Sequence, residues 1–326
     1  MPPSTTEASA SLRISIVHPD ASERQAWAGA LRQRLSAARI DIWTASGPLA
    51  HATPATLHFG VGWKPPREYF QAHPDLAAFF AAGAGVDHLL ALEGLPPHLP
   101  IIRLEDAGMA QQMFSYCLHQ ILRRLHRVDD YEAQQRERVW REHPARAPQS
   151  LPVGVVGLGA LGAELAQRLS ALGFPLRGFA RSPHALPGVH CFHGPAQWQP
   201  FLAGCEVLVL MAPLTAETRG LIDAKALAAL PQGAWLINVA RGALVDQDAL
   251  LRSLDAGHLA GATLDVFETE PLPTGHAFWQ HPRIRLTPHI SAQTLIEPSA
   301  DQIADKILRL QQGQSVSGTV DRLRGY

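Results

Sequence analysis

Apolar and polar positions along this chain follow two rhythms that keep trading places. Short apolar runs at Leu12–Val17, Ile40–Trp43, Leu57–Trp63, Leu76–Ala82 and Ile101–Leu104 predict strands, with helical or turn segments between them. Ala21–Ala38 instead follows the helical period, with Trp27, Leu31 and Leu35 on one stripe. From Gln111 to about Trp140 the spacing predicts one long helix, on which Met113, Tyr116, Cys117, Ile121, Leu125 and Val128 recur. The stretch HPARAPQSLP then breaks it. Beyond Pro152 the alternation resumes, with strands at Leu176–Ala180, Val207–Ala212, Ala234–Ala240, Ala262–Phe267 and Ile284–Thr287. Helices are predicted at Ala224–Leu230, Asp248–Ala256 and Ala300–Gln312. Strands alternating with helices imply βαβ units and parallel sheets.

One stretch punctuates this pattern. VGVVGLGALGAELAQR, from Val153 to Arg168, reads as strand, tight turn and helix, with Gly157, Gly159 and Gly162 in the G-x-G-x-x-G spacing. Gly157 turns the chain, Gly159 lets the backbone approach a pyrophosphate, and Gly162 lets the helix pack closely. The helix N-terminus offers N–H groups and a positive dipole end to the phosphates. An NAD site carries an acid about 20 residues on, at the end of the second strand. Here that place holds Ala180, Arg181 and Ser182. No carboxylate stands there to repel a 2′-phosphate, and a guanidinium suits it, although Arg181 alone also fits a solvated loop. NADP(H) is favoured, with NAD(H) possible.

Composition narrows the class without naming an activity. At 326 residues with 46% hydrophobic and 17% charged residues, the chain reads as an ordinary globular protein of two domains. A formal net charge of −1 gives no field for nucleic acid or an anionic membrane. Cys117, Cys191 and Cys205 are widely spaced and fit idle thiols in a reducing compartment. The N-terminal MPPSTTEASAS lacks a basic start and a hydrophobic core, so it reads as a frayed leader rather than a signal peptide. No apolar stretch is long enough to cross a bilayer. A cytoplasmic protein is expected.

Three polar residues stand at or after the carboxyl ends of three predicted strands: Arg241 after WLINVA, Glu270 after TLDVFET and His289 after RIRLTP. In an open α/β sheet that edge is where ligands sit. An arginine can clamp a carboxylate at two points. A histidine can give a proton to a carbonyl oxygen as hydride arrives at carbon. A neighbouring glutamate would hold the imidazole in one tautomer and favour its charged form. Asp265 could accept from a nicotinamide amide. Taken singly, each has a plainer role, since His289 is one of 16 histidines, Arg241 fits an ion pair and Glu270 a surface turn. Two loops of the first domain, Ala82–Asp87 and Phe59–Lys64, fit anion or ligand binding as well as ordinary turn chemistry. The cluster His190–His193 is expected to be a loop and not a metal site. Spacing alone thus reaches an NADP-binding α/β enzyme.

The segments GLGALG, VARGALVDQDAL, LDVFETEPLP and TPHISA resemble the signature blocks of the D-2-hydroxyacid dehydrogenase family, in order and spacing. AAGAGVD, RLEDAGMAQQM, HRVDDYEAQQ, GFPLRGFARS and VDRLRGY resemble its glyoxylate/hydroxypyruvate reductase A branch. The resemblance implies two Rossmann/flavodoxin-like, doubly wound parallel-sheet domains with a cleft between them. Residues 1–110 with 291–326 would bind substrate. Residues 111–290 would bind the dinucleotide and include a dimerisation helix and arm at 111–145. By position, it implies Arg241 on the substrate carboxylate, His289 as acid/base and Glu270 as its partner. Gly157, Gly159, Ala160, Leu161 and Gly162 would hold the pyrophosphate, and Arg181 and Ser182 the 2′-phosphate. Pro213, Thr218, Ala240 and Asp265 would complete the cofactor site. Ala84, Gly85 and Val86 would hold the carboxylate through backbone N–H groups, with Trp63 and Met109 near the substrate. Trp140 is a candidate to enter a partner subunit's active site. RLEDAGM departs from the loop of much of the wider family, which limits transfer of substrate contacts from distant members.

The expected activity is NADPH-dependent reduction of glyoxylate to glycolate and hydroxypyruvate to D-glycerate. A broader 2-oxo acid reductase acting on phenylpyruvate is the rival within the class, because Met109, Met113 and Trp279 could make the pocket roomier. A non-catalytic dinucleotide sensor is the rival outside it, and the joint presence of Arg241, Glu270 and His289 argues against that.

Overall fold

The computed structural model describes residues 11–45 and 56–326; the leader expected over MPPSTTEASAS lies outside them except for Ser11, which begins a strand. The chain divides into two compact units, Met1–Gly108 with Thr294–Tyr326, and Met109–Gln293.

The first unit is built on β1 (Ser11–Val17), β2 (Arg39–Ile42), β3 (Thr56–Gly62), β4 (Leu76–Ala81) and β5 (Ile101–Ile102). They pair in the order β2-β1-β3-β4-β5, all parallel. Between them run α1 (Ala21–Arg34), α2 (Arg67–Ala72) and α3 (Asp87–Leu90). Asp20 caps α1 by accepting from the N–H groups of Ser22 and Glu23. This helix closes at Arg34, short of the expected Ala38. Leu35 leaves helical geometry (φ −125°, ψ 59°) yet stays buried, so the apolar stripe outruns the helix. The strand expected over 101–104 is only two residues long, because Arg103 and Leu104 turn their N–H groups to the carbonyls of Gly318 and Gly83.

The second unit carries α4 (Met109–Leu125), α5 (Val128–Glu137), β6 (Val153–Val156), α6 (Ala160–Ala171), β7 (Leu176–Ala180) and β8 (Val189–His193). It continues through α7 (Trp198–Leu202), β9 (Val207–Leu210), α8 (Ala224–Ala229), β10 (Ala234–Asn238), α9 (Gln247–Asp255), β11 (Leu259–Leu264) and β12 (Ile284–Leu286). The strand order is β12-β11-β10-β9-β6-β7-β8, again all parallel. Chain direction across the sheet reverses between β6 and β9, the kind of switch point where such sheets take ligands. Period-two side chains supply both faces. Leu208, Leu210 and Leu236 enter one core, whereas Val207, Val209 and Ile237 enter the other with Val153 and Val155. The chain then returns to the first unit as α10 (Ile296–Gln311).

Three expectations need correction here. The single helix from Gln111 to Trp140 is two helices, broken where Arg127 takes a left-handed conformation at φ 52°. The apolar stripe steps across the break from Leu125 to Val128, so the helical period hides it. Arg123 bridges the break by bonding Asp129 and Glu132 on α5. Trp140 falls beyond the helix and is 96% exposed. The His190–His193 cluster is not a loop but most of the edge strand β8, whose outward residues are polar and so weaken the strand signal. Finally, α10 starts at Ile296, a turn before Ala300. Its first turn holds Glu297, favoured by the helix dipole, and Pro298, tolerated there.

Candidate active site

Three strands of the second unit stop sooner than their apolar runs suggest, β9 at Leu210, β10 at Asn238 and β11 at Leu264. The residues that follow turn over the carboxyl edge of the sheet, and the candidate side chains lie on those turns.

The glycine turn between β6 and α6 is forced at two of its three positions. Gly157 has φ +97°, and a Cβ there would lie 2.6 Å from the backbone of Ala212 on the neighbouring strand end. A Cβ on Gly162 would lie 1.9 Å from the Gly157 carbonyl oxygen, so α6 rests directly on the turn itself rather than on the strand. Gly159 differs, since a Cβ there meets nothing within 4 Å. The protein does not need a glycine at that point. Gly159 is the N-cap of α6 and contributes no side-chain bond to the first-turn N–H groups of Ala160, Leu161 and Gly162. Open space before an uncapped helix N-terminus fits a pyrophosphate.

At the end of β7, Ala180 is buried, and Arg181 and Ser182 are exposed. The Arg181 guanidinium lies 3.7 Å from the Glu217 carboxylate, an exposed pair. Glu217 belongs to the 213–218 turn, which Thr218 closes by donating to the Pro213 carbonyl at 2.7 Å. No acid of the β7 end itself faces the place of a 2′-phosphate.

Arg241 is set by Asn238, a buried polar residue closing an otherwise apolar strand. Its amide nitrogen donates to the Arg241 carbonyl at 2.8 Å and its amide oxygen accepts from the Ala240 N–H at 3.1 Å. The Arg241 guanidinium also donates to the Ala240 carbonyl at 2.7 Å. The next residue must be glycine, because a Cβ on Gly242 would lie 2.0 Å from the Phe267 carbonyl carbon. That contact brings the Arg241 turn against the segment leading to Glu270.

Glu270 and His289 form the pair expected of an acid/base and its partner. Glu270 accepts from the Phe267 N–H at 3.0 Å through one oxygen and meets His289 Nδ1 at 2.8 Å through the other. Burial pushes the Glu270 carboxyl up, but its bonds to His289 and the Phe267 N–H, with the charge of Arg241, outweigh this and hold it below the usual range. An ionised carboxylate only accepts, so Nδ1 carries the proton and Nε2 is left for exchange. The His289 side chain is 40% exposed, enough for a ligand to reach it.

Asp265 is fully buried beyond β11. Its carboxylate accepts from the Thr287 hydroxyl at 2.6 Å and from the N–H groups of Ile290 and Ser291, each at 2.8 Å. The oxygens offered by the sequence to a nicotinamide amide are therefore committed first to the loop that carries His289.

In the first unit, Ala84, Gly85 and Val86 follow β4, and Trp63 follows β3. The Trp63 ring packs on Gly83, where a Cβ would come within 2.5 Å, and meets the His88 ring at 4.2 Å between centroids. Lys64 next to it has φ 45°. One pocket assignment is corrected: Met113 lies in the core of the second unit with Cys117, Ile121 and Leu125, so its side chain is used in packing. Met109 is buried at the first residue of α4. Trp279 is 53% exposed, with its indole N–H on the Pro273 carbonyl. Among the described residues no group of three or more His, Cys, Asp or Glu could hold a metal ion, and no helix is long and apolar enough to cross a membrane.

Sequence reasoning passes over Asn238 and Thr287. A lone asparagine inside WLINVA is a usable signal. Thr287 carries none, because its partner lies 22 residues away.

Residues 118–291 match the D-isomer specific 2-hydroxyacid dehydrogenase, NAD binding domain, a span inside the second unit. Glyoxylate/hydroxypyruvate reductase A of Serratia proteamaculans is 42% identical over 320 residues, 97% of this chain and all of that protein. Among solved structures, a D-isomer specific 2-hydroxyacid dehydrogenase of Xanthobacter autotrophicus, in complex with NADPH and MES, superposes with a TM-score of 0.90 at 41% identity. The match covers 98% of this chain and 100% of that one. An NADPH-dependent glyoxylate/hydroxypyruvate reductase of Sinorhizobium meliloti, in complex with NADP and sulfate, gives 0.88 at 30% identity, covering 96% and 99%. The chain belongs to the D-isomer specific 2-hydroxyacid dehydrogenase family.

Proposed function

We propose that this protein is an NADPH-dependent reductase of small 2-oxo acids, converting glyoxylate to glycolate and hydroxypyruvate to D-glycerate. The observation that carries the reading is the His289–Glu270 pair at 2.8 Å, with Arg241 on an adjoining turn of the same sheet edge. Arg241 binds the substrate carboxylate. Bound NADPH supplies the hydride to C2. His289 Nε2 gives its proton to the carbonyl oxygen, and Glu270 on Nδ1 fixes the ring's orientation and tautomer. The cradle at Gly159 holds the pyrophosphate, and Arg181 with Ser182 holds the 2′-phosphate. The lack of an acid at the end of β7 and the NADPH and NADP in the two solved relatives support NADP(H) over NAD(H).

The protein acts as a cytoplasmic homodimer joined through residues 111–145. Val139 and Trp140 stand exposed at the end of that segment, which supports the assembly. A monomeric mass in sedimentation would overturn it. The activity is tested by following loss of NADPH or NADH with glyoxylate, hydroxypyruvate and phenylpyruvate in turn. Rapid NADPH-dependent turnover of the two small acids is expected. Preference for phenylpyruvate would move the assignment to a broader reductase, and tight NADPH binding without turnover would move it to a sensor.

A further inference from the structure

His289 sits at φ +55°, a left-handed backbone conformation that a histidine holds only when its surroundings over-determine it. Three groups do so from inside the same unit. In the middle, Asp265 takes the N–H groups of Ile290 and Ser291, while its own carbonyl accepts from the His289 N–H at 2.8 Å. At the near end, Tyr116 Oη lies 2.5 Å from Thr287 Oγ1. A hydroxyl has one proton, and Thr287 spends its own on Asp265, so Tyr116 is the donor in a chain that ends on the carboxylate. Burial pushes the Tyr116 hydroxyl up to about 12, which keeps it a donor at any working pH. At the far end, the Gln112 side-chain amide pairs twice with the backbone of Gln293. It donates to the carbonyl at 2.9 Å and accepts from the N–H at 3.2 Å. Gln112 and Tyr116 are four residues apart on α4 and so share one face.

We propose that Gln112 and Tyr116 are positioning residues for His289, a two-point clamp by which α4 holds both ends of the 287–293 segment against Asp265. The inference rests on reading His289 as the acid/base. Neither residue touches substrate in this account. Their effect is on where Nε2 stands when the carbonyl oxygen arrives. Small displacements of an acid/base at that moment are costly to the rate, up to roughly a hundredfold for about 1 Å.

The test uses the full chain as Tyr116→Phe, Gln112→Leu and the pair of them, with Thr287→Val and Thr287→Ser beside them. Tyr116→Phe keeps the ring and Gln112 is partly exposed, so the fold should survive both. In the paired variant kcat should fall about ten- to a hundredfold, with KM and the Kd of NADPH unchanged. Amide exchange at Ile290 and Ser291 should quicken. Thr287→Ser should keep near-normal kcat where Thr287→Val loses it, because serine keeps the relayed hydroxyl. A purely structural role would lower Tm and leave kcat of the folded enzyme alone, and that result would overturn the proposal. If wild type reduces neither glyoxylate nor hydroxypyruvate, the assigned reaction fails separately. The exchange measurement then decides the clamp, upheld by faster exchange in the paired variant and overturned by unchanged exchange.

Discussion

Two of the histidine–carboxylate pairs among the described residues look alike on paper and differ in everything that matters to chemistry. In the second unit His289 Nδ1 meets Glu270 at 2.8 Å. In the first unit His58 Nδ1 meets Asp75 at 3.1 Å, and His58 Nε2 lies 3.0 Å from Ser15 Oγ, which in turn meets Tyr69 Oη at 2.6 Å. By residue types alone the second set is an acid–base–nucleophile array. Its central members, however, are shut inside the core: Ser15 and Tyr69 are completely buried and His58 is 1% exposed. No substrate reaches Ser15, and burial holds the His58 imidazole below its ordinary value despite the neighbouring Asp75. His289 lies past the end of β12, on strained backbone, with a carboxylate kept ionised behind it and its ring partly open to solvent. Access and placement at the sheet edge separate a reactive pair from a satisfied core histidine.

The sharpest way to break this contrast is to replace each histidine. His289→Asn should lower kcat about 10²- to 10⁴-fold, the usual contribution of a positioned acid/base, with NADPH binding intact. His58→Asn should lower Tm through a disturbed buried network and leave the turnover of folded enzyme alone. A folded His58→Asn protein without turnover would erase the distinction. Next in size is Arg241→Gln. A glutamine amide can keep one of the two points of the clamp, and the charge-assisted bond lost is worth about 1.5–3 kcal/mol, so kcat/KM should fall roughly 10- to 100-fold, largely through KM. An unchanged KM for glyoxylate would take the carboxylate away from Arg241.

The buried pair makes its own prediction, in pH. His73 lies beside His58 with ring centroids 5.2 Å apart, its Nε2 buried without a hydrogen-bond partner, and burial lowers its pKa too. Both folded-state values sit below the unfolded reference of 6.5. The folded chain therefore binds fewer protons than the unfolded one in that window. The stability is fully present above about pH 6.5 and is lost as pH falls through the folded values. Tm should drop between about pH 7 and pH 5, and His73→Phe should flatten the curve. The depressed carboxylates, Asp75 and Glu270 among them, act with the same sign at lower pH. A wild-type Tm that stays level through this range would show that burial does not keep these imidazoles neutral.

What is legible in the sequence follows from how local each signal is. Gly157 and Gly162 are readable because the turn they allow is made by adjacent residues, and Arg241, Glu270 and His289 because each ends an apolar run. The parallel sheets follow from alternation alone. The break at Arg127 stays hidden, since the helical period continues across it, and β8 stays hidden because an edge strand shows polar residues outward. Met113 reads as a pocket residue because a buried face and a ligand-facing one carry the same apolar residues. The grip of Gln112 and Tyr116 on the His289 loop joins positions 181 and 171 residues apart. No spacing rule reaches that far, and only the folded chain reveals it.

The smallest expected effect concerns Arg181, and it separates a binding surface from a structural one most cleanly. Its ion pair with Glu217, at 3.7 Å with both side chains well exposed, is an arrangement that contributes little to folding. Arg181→Ala should therefore leave Tm unchanged. A 2′-phosphate would draw the guanidinium into a two-point, charge-assisted interaction that NADH cannot make. The Kd of NADPH should rise about tenfold and that of NADH should stay where it is, a loss of about 1.4 kcal/mol confined to one cofactor. Added salt should weaken NADPH binding to wild type more than to the variant, because an exposed ionic interaction is screened and the variant has none to screen. Equal weakening of both cofactors would place Arg181 against the shared part of the dinucleotide, and no change for either would leave Ser182 and the bare backbone after β7 to receive the phosphate.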